Sequence, residues 1–498
     1  MTATPFCIGQ DDAVDPLVLA LDVGSTATRG ALFDATGRPI SGRVKTCHAF
    51  TVGEDGTSQI DADQVTDEIA AILDGLAGPG GPATGRIRGV AFDTFASSLV
   101  AVGADGRALT PCYTYADSRC SAEVEELREE LDETTVQQRT GTRLHTSYLA
   151  PRLRWLSRVE PRVFADAVRF VSLGEYVQLR LIGHTAAGTP TAAWTGMLDR
   201  RLGAWDPEIL AAAGVGADRL SPVQDPGVPL SAPDVTGGGR WPGLVGAEWF
   251  PAIGDGLGHN LGTGARDASA IGCGAATSGA MRVVVPGQPA QLPTGLWCYR
   301  IDADRSLLGG ALTDVGRVFG WLASGIAAGL APCEVDAVLG ADPVPGTPAV
   351  VPFLTGERST GWAARARMVM AGVSAAHGPA DIVRGAAEGV AIGYARISEQ
   401  LHAVAPEAAR VAASGSVTAL YPSFLQILAD ALQVPVEHVQ LKRSTLLGTA
   451  LTAIDAVAPG VERATPPVKR TFEPRPEHAD HYAAVRARFD ELYPVAIS

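Results

Sequence analysis

Residues Leu17 to Ile40 read LVLALDVGSTATRGALFDATGRPI, two apolar runs joined by a polar turn and followed by a reverse turn. Val18 to Leu21 suit a central strand, Ala31 to Phe33 resume the apolar pattern after Gly30, and Asp34 to Gly37 supply turn chemistry. The same logic returns in IRGVAFDTFASSLVAVGADGRALTP, where Val90 to Phe92 and Leu99 to Val102 are strand-like and Asp105-Gly106 turns the chain. It returns again in SAIGCGAATSGAMRVVVPGQPA, Ser269 to Ala290, and there Gly279 to Val283 distantly echoes Thr28 to Phe33. The echo suggests a related polar hairpin in each half. Helical spacing is expected over Asp67 to Leu76, Ser121 to Asp132 and from Arg152 to Leu156. Further helices are expected around 317–330, 378–400 and 422–432, and over Tyr482 to Tyr493. Strands that alternate with helices describe α/β architecture, and 498 residues are enough for two buried cores. The Gly/Pro run Gly78 to Gly85 separates one helix from Ile87, and a looser Pro/Gly-rich region after Trp205-Asp206-Pro207 approaches a hinge near 245–255.

The net charge of −14, with no basic stripe, excludes a nucleic-acid partner. Seven cysteines at 7, 47, 112, 120, 273, 298 and 333 include no CxxC pair, so neither a disulfide framework nor a zinc site is expected. The amino terminus carries no basic segment followed by an apolar run, and no apolar stretch reaches membrane-spanning length. A cytoplasmic protein without a membrane partner is expected, and the sequence leaves a homodimer open.

Three turns can carry chemistry. Asp22-Val23-Gly24-Ser25-Thr26 sets a carboxylate at the end of a strand, beside a glycine and two hydroxyls. Its backbone N–H groups can cradle phosphate while Asp22 positions magnesium. Gly254-Asp255-Gly256 allows close approach of a ligand to a carboxylate able to accept a hydroxyl proton. Gly274 to Gly279 brings the Thr277 and Ser278 hydroxyls to a turn of small residues, without the Gly-Lys-Ser/Thr ending of a Walker A loop. Each segment taken alone also reads as an ordinary, self-satisfied turn.

Taken together, the chain resembles the FGGY carbohydrate kinases. The resemblance rests on Asp22 to Thr26, Tyr115-Ala116-Asp117-Ser118-Arg119, Gly254-Asp255-Gly256, Ala276 to Arg282 and Pro352 to Arg358, spread over residues 17 to 460. It implies two ribonuclease-H-like, actin-type α/β domains flanking a catalytic cleft, divided as residues 1–247 and 248–498. It also implies ATP and Mg2+ as cofactors and a polyol or sugar acid as the small-molecule partner. By that resemblance Asp255 is the catalytic base, and Asp22, with Gly24, Ser25 and Thr26, is the first phosphate loop near magnesium. Thr277 and Ser278 lie in the second phosphate loop, and Ser414, Gly415 and Ser416 in an adenosine-binding turn. Tyr115, Asp117 and Arg119 match a substrate-side W-x-D-x-R pattern.

Two departures stand out. Tyr115 replaces the usual Trp, which changes the aromatic surface offered to a sugar. Ala276 replaces the usual Gly and is expected to restrict positive φ in the second phosphate loop, so that glycine there would improve ATP use.

The segment Thr140 to Tyr148 resembles the substrate-side loop of the gluconate-kinase-like branch, with looser matches at Ser172 to Tyr176 and Ala193 to Asp199. Arg119, Arg143 and His145 are candidate acceptor ligands, an arginine offering paired hydrogen bonds to a carboxylate. Arg143 reads equally as a surface charge and His145 as a turn residue. Gluconate is the expected acceptor. Xylulose, ribulose, polyol or aminocyclitol kinases are the enzyme alternatives, and a nucleotide- or sugar-binding regulator on a kinase scaffold is the non-enzyme one.

Overall fold

The computed structural model describes residues 6–81, 85–231, 239–441 and 443–498. Residues 82–84 and 232–238, within the expected Gly/Pro-rich connections, lie outside the described residues.

The first sheet is built on β1 (Leu17–Val23), β2 (Ala27–Phe33), β3 (Val44–Cys47), β4 (Ile87–Thr94), β5 (Glu248–Trp249) and β6 (Ile253–Gly254). Its order is β5-β4-β1-β2-β3, with β6 also on β4. The β1–β2–β3 pairs are antiparallel, whereas β1, β5 and β6 all run parallel to β4. Every residue of β1 is buried, so both faces of the strand are covered. Leu17, Leu19, Leu21 and Val23 point into the core shared with the helix Ala62–Ala77, whose first turn Asp61 caps by accepting from the N–H groups of Asp63 and Gln64. Val18 and Ala20 point the other way, into a core formed with the helix Ser444–Val457.

The second sheet repeats this plan with β7 (Ala270–Ala275), β8 (Gly279–Pro286), β9 (Trp297–Arg300), β10 (Arg305–Leu312), β11 (Arg410–Ser414), β12 (Val436–Val439) and β13 (Val468–Phe472). Its order is β9-β10-β8-β7-β11-β12-β13. The β7–β8 hairpin is antiparallel and continues antiparallel into β10, while β7 pairs parallel with β11. The second strands of the two hairpins, β2 and β8, are the segments that echo each other in sequence. The protein is therefore two α/β domains with central sheets flanking a cleft. The helix Pro379–His402 buries one face of the second sheet, and Val383, Ala387, Val390 and Tyr394 belong to its core.

Residues on either side of 250 still pair with the first sheet. β5 and β6 complete the first sheet, and the helix Asp255–Gly262 starts directly from β6. Two-residue strands are too short to show a period-2 pattern. The helix Ser444–Val457 returns from the second domain to the first sheet and crosses Asp255–Gly262 on the way.

That crossing is a backbone contact. A Cβ on Gly262 would lie 1.7 Å from the Ser444 carbonyl oxygen, and one on Gly448 would lie 1.8 Å from that of Gly258. Among the described residues no helix is long and apolar enough to cross a membrane.

Gly448→Ala is expected to destabilise the protein by about 1–3 kcal/mol, because the added methyl must push the helices apart. The higher helix propensity of Ala, about 0.5–1 kcal/mol, works against this loss. Thermal unfolding of the variant checks it: a lower midpoint is expected, and an unchanged or raised one would show that the crossing accommodates a side chain.

Candidate active site

Three apolar runs end in aspartate, LALD at Asp22, VAFD at Asp93 and AIGD at Asp255. The parallel strands β1, β4 and β6 bring these ends side by side: Asp22 is paired with Asp93 across β1 and β4, and β6 sets Ile253 opposite Asp93 just before Asp255. The carboxyl ends of parallel strands are where open α/β sheets collect ligands. Here they collect carboxylates.

Asp22 is buried and ion-paired to Arg29, its cross-strand neighbour, at 3.0 Å. Burial raises its carboxyl and Arg29 opposes the rise. Asp93 is wholly buried and accepts from the Thr449 hydroxyl at 2.6 Å through Oδ2, while Oδ1 has no hydrogen-bond partner among the described residues. Burial first, then the charge of Asp22, pushes Asp93 well above the usual carboxylate range. Asp255 opens its helix, and burial, with Asp22 adding, pushes it up to about 6 against the pull of Arg282.

Asp255 forms part of the wall of a cavity of about 180 Å3 between the domains, whose other walls include Tyr115, Ser147, Trp194, Arg282 and Arg358. Trp194 stacks on Tyr299 with ring centroids 4.0 Å apart, and the Tyr148 and Tyr299 hydroxyls lie 2.9 Å from each other. Ser97, also in the wall, sits at φ 56°, a left-handed conformation uncommon for serine. Its hydroxyl donates to the Trp194 carbonyl and its own carbonyl accepts from Arg152, both at 2.7 Å, which holds the turn in place.

The expected acceptor ligands divide. Tyr115 lines the cavity, half-exposed. Asp117 and Arg119 do not: Asp117 is buried, accepts from the Ser58 N–H at 3.0 Å and pairs with Arg119 at 2.7 Å, and Arg119 lies over the Trp155 ring. Arg143 forms an ion pair with Glu133. His145 accepts from the Ser147 N–H at 3.1 Å, and its ring meets Trp362 edge-on at 5.8 Å. Burial and the nearby Arg358 hold it down to about 3, so it is neutral at physiological pH.

The two hairpin tips are exposed, and Ser278 of the second lines the cavity. Gly24 closes the first through its N–H to the Ala27 carbonyl at 3.1 Å, Ser25 and Thr26 are exposed, and His48 bonds the Gly24 carbonyl at 2.8 Å. Ala276, Thr277 and Ser278 form the second, exposed tip, tied down where the Ala276 and Thr277 carbonyls accept from Gly316 and Arg317. Ser414, Gly415 and Ser416 follow β11 beside it. Ser414 bonds His259 of the Asp255 helix at 2.8 Å, and Ser416 is exposed. Gly415 has φ 126°, and a Cβ there would lie 2.2 Å from the Ala275 carbonyl oxygen, so the turn packs backbone to backbone against the second hairpin.

Models of the FGGY family of carbohydrate kinases match twice, the N-terminal domain over residues 17–227 and the C-terminal domain over 285–457. The chain belongs to the FGGY carbohydrate kinases. A gluconokinase of Bacillus licheniformis is 24% identical over 472 residues, covering 88% of this chain and 87% of that one. The crystal structure of a gluconate kinase from Lactobacillus acidophilus superposes with a TM-score of 0.87 at 23% identity, covering 97% of this chain and 98% of that one. A xylulose kinase from the same organism does so with 0.86 at 23% identity, covering 96% and 98%. At these identities the structures establish the fold and do not separate the two acceptors. ATP-dependent phosphoryl transfer to a sugar or polyol hydroxyl is the chemistry of the family.

Asp93, Arg282, Arg358 and the Trp194–Tyr299 stack join the site without standing out as ligands in the sequence of this FGGY kinase. Asp93 has the signal of Asp22, an apolar strand closed by aspartate, but no glycine follows to mark a ligand turn. Ala276 is accommodated without strain. The non-glycine residues with positive φ among those described are Ser97, Trp362 and Gln433, so the second tip makes no demand that only glycine meets. Ala276→Gly is therefore expected to leave the KM for ATP within about twofold of wild type, since there is no φ strain to relieve. Steady-state ATP titration checks this, and a clear fall in KM would show that the methyl group crowds the nucleotide.

Proposed function

We propose that the protein transfers the γ-phosphoryl group of ATP to the primary hydroxyl of a sugar acid, with gluconate as acceptor. The observation that carries this reading is Asp255. It is a carboxylate at the junction of the acceptor cavity and the Asp22 strand end, with its proton affinity raised toward neutrality. In this reading Asp255 orients the acceptor hydroxyl and accepts its proton as the oxygen bonds to phosphorus. Gly24, Ser25, Thr26, Thr277 and Ser278 hold the phosphates from opposite tips, and the turn Ser414 to Ser416 receives the adenosine. The aromatic wall and Tyr115 take the carbon skeleton of the acceptor. Residues 1–247 contribute the first phosphate hairpin and part of the acceptor wall, and residues 248–498 the base and the nucleotide side. The choice of gluconate is supported by the gluconokinase relative and by the loop Thr140 to Tyr148.

Among the described residues no group of three or more His, Cys, Asp or Glu forms a metal site. Asp22, paired with Arg29 at the hairpin base, would hold a magnesium ion that arrives with the nucleotide. Bound there, the ion would neutralise charge on the phosphates.

The decisive experiment is a product-detected screen with Mg-ATP across sugar acids, ketoses, alditols and cyclitols. Gluconate is expected to yield a phosphate ester. Turnover confined to a ketose or alditol would overturn the acceptor assignment while leaving the kinase intact.

Asp255→Asn is expected to lower kcat by about 10²–10⁴-fold, the scale of general acid–base assistance, with Mg-ATP binding retained. Near-wild-type turnover would remove Asp255 from the role of base. The pH dependence has a definite sign. The base works deprotonated and its carboxyl titrates at about 6, so kcat/KM should be level above that pH and fall about tenfold per unit below it. A profile that stays level down to pH ~4, the unperturbed aspartate range, would contradict the raised proton affinity.

A further inference from the structure

The acceptor cavity has an unbalanced charge inventory. Its walls include one carboxylate, Asp255, and two guanidinium groups, those of Arg282 and Arg358. Neither arginine makes a side-chain hydrogen bond or ion pair to a described residue, and the Nε of each is buried without a partner. This sets them apart from the two arginines expected to meet the acceptor, since Arg119 is occupied by Asp117 and Arg143 by Glu133.

Arg282 reaches in from β8. Its guanidinium lies close to Gly256, where a Cβ would sit 3.1 Å from Nη2, and it stands 5.9 Å from the Trp297 ring centroid. Arg358 enters from the loop after Gly356, on the side of His145 and Tyr148, whose proton affinities its charge lowers. The two cations also act on each other unfavourably. Asp255 offsets part of the charge on Arg282, but one carboxylate does not balance two guanidinium groups withdrawn from water around one small cavity. A neutral polyol supplies hydroxyls but no charge to offset this. A carboxylate matches the guanidinium fork and offsets both cations at once.

We propose that Arg282 and Arg358 are the specificity-determining pair for an acidic acceptor, together holding its carboxylate within the cavity. The inference rests on the sugar-acid kinase reading above. It moves acid recognition from the helical segment around Arg119 and Arg143 to β8 and the loop that carries Arg358.

The test compares gluconate with gluconamide, which keeps the carbon chain and every hydroxyl but carries no charge. The quantity read is the ratio of kcat/KM for the acid to that for the amide, in wild type, Arg282→Gln and Arg358→Gln. Wild type should favour the acid, and in at least one variant the ratio should fall by about 10²-fold, the scale of breaking a buried charge pair. Should a Gln variant be inactive on both acceptors, the matching Arg→Lys variant keeps the charge without the fork and reads the same ratio.

A ratio unchanged in both positions, even with kcat lowered, would overturn the inference and assign the arginines to the transferred phosphoryl group. If wild type phosphorylates neutral acceptors and no sugar acid, the sugar-acid reading itself fails before any variant is made. The two failures are thus distinguishable.

Discussion

Two helices cross at backbone distance because glycine occupies the contact, and the site is aligned by that crossing. Asp255–Gly262 carries Asp255, the proposed base, at its first residue, and Ser444–Val457 presents Thr449 to Asp93 at the carboxyl end of β4. With Gly262 and Gly448 opposite carbonyl oxygens of the partner helix, one side chain at either position would lift one helix off the other. The pair of helices bridges the two domains. The Asp255 helix follows β6 of the first sheet and reaches Ser414 of the second through His259, while the other helix buries Leu447, Ala450 and Ile454 against the first sheet. The domains also meet backbone to backbone elsewhere, where the Cys298 N–H of the second sheet donates to the Gly141 carbonyl at 2.8 Å.

The row Asp22, Asp93 and Asp255 makes electrostatic sense only as a graded set. Three carboxylates on neighbouring strands would repel strongly in a dry environment if all were ionised. Arg29 stands against Asp22, Thr449 donates to Asp93, and Arg282 lies near Asp255, so each has a different counterweight. The result separates their proton affinities, with Asp93 pushed far up, Asp255 brought near neutrality, and Asp22 held against a permanent cation. Separation of this kind is what the proposed division of roles requires, with one carboxylate as base and its neighbour facing phosphate and metal.

Much of this arrangement is legible in the string of residues because it is local. An apolar run closed by aspartate with glycine nearby shows where a strand stops and a turn begins, which accounts for Asp22, Asp255 and the first hairpin. Arg119 is taken up two residues away by Asp117, whereas the fates of Arg143 and Arg358 depend on more distant parts of the chain. Arg143, in the loop after the helix Glu133–Thr140, is neutralised by Glu133 at the start of that helix, and Arg358 is left without an ion pair among the described residues because the loop carrying it turns toward the cavity from the other domain. Asp93 is an intermediate case: its strand-end pattern is visible, but its importance comes from parallel pairing with Asp22 across a long chain separation. The short strands β5 and β6 are hidden for the opposite reason, having too few residues to express a pattern.

The central claim is that one cavity holds the acceptor hydroxyl against Asp255 while the hairpin tips present the phosphates. A crystal structure with gluconate and a non-hydrolysable ATP analogue measures this directly. The primary hydroxyl oxygen should lie about 2.6–3.2 Å from an Asp255 carboxylate oxygen, the reach required of a general base, and should point at the γ-phosphorus. A bound acceptor whose primary hydroxyl faces away from Asp255, or a nucleotide whose phosphates avoid the two tips, would contradict it.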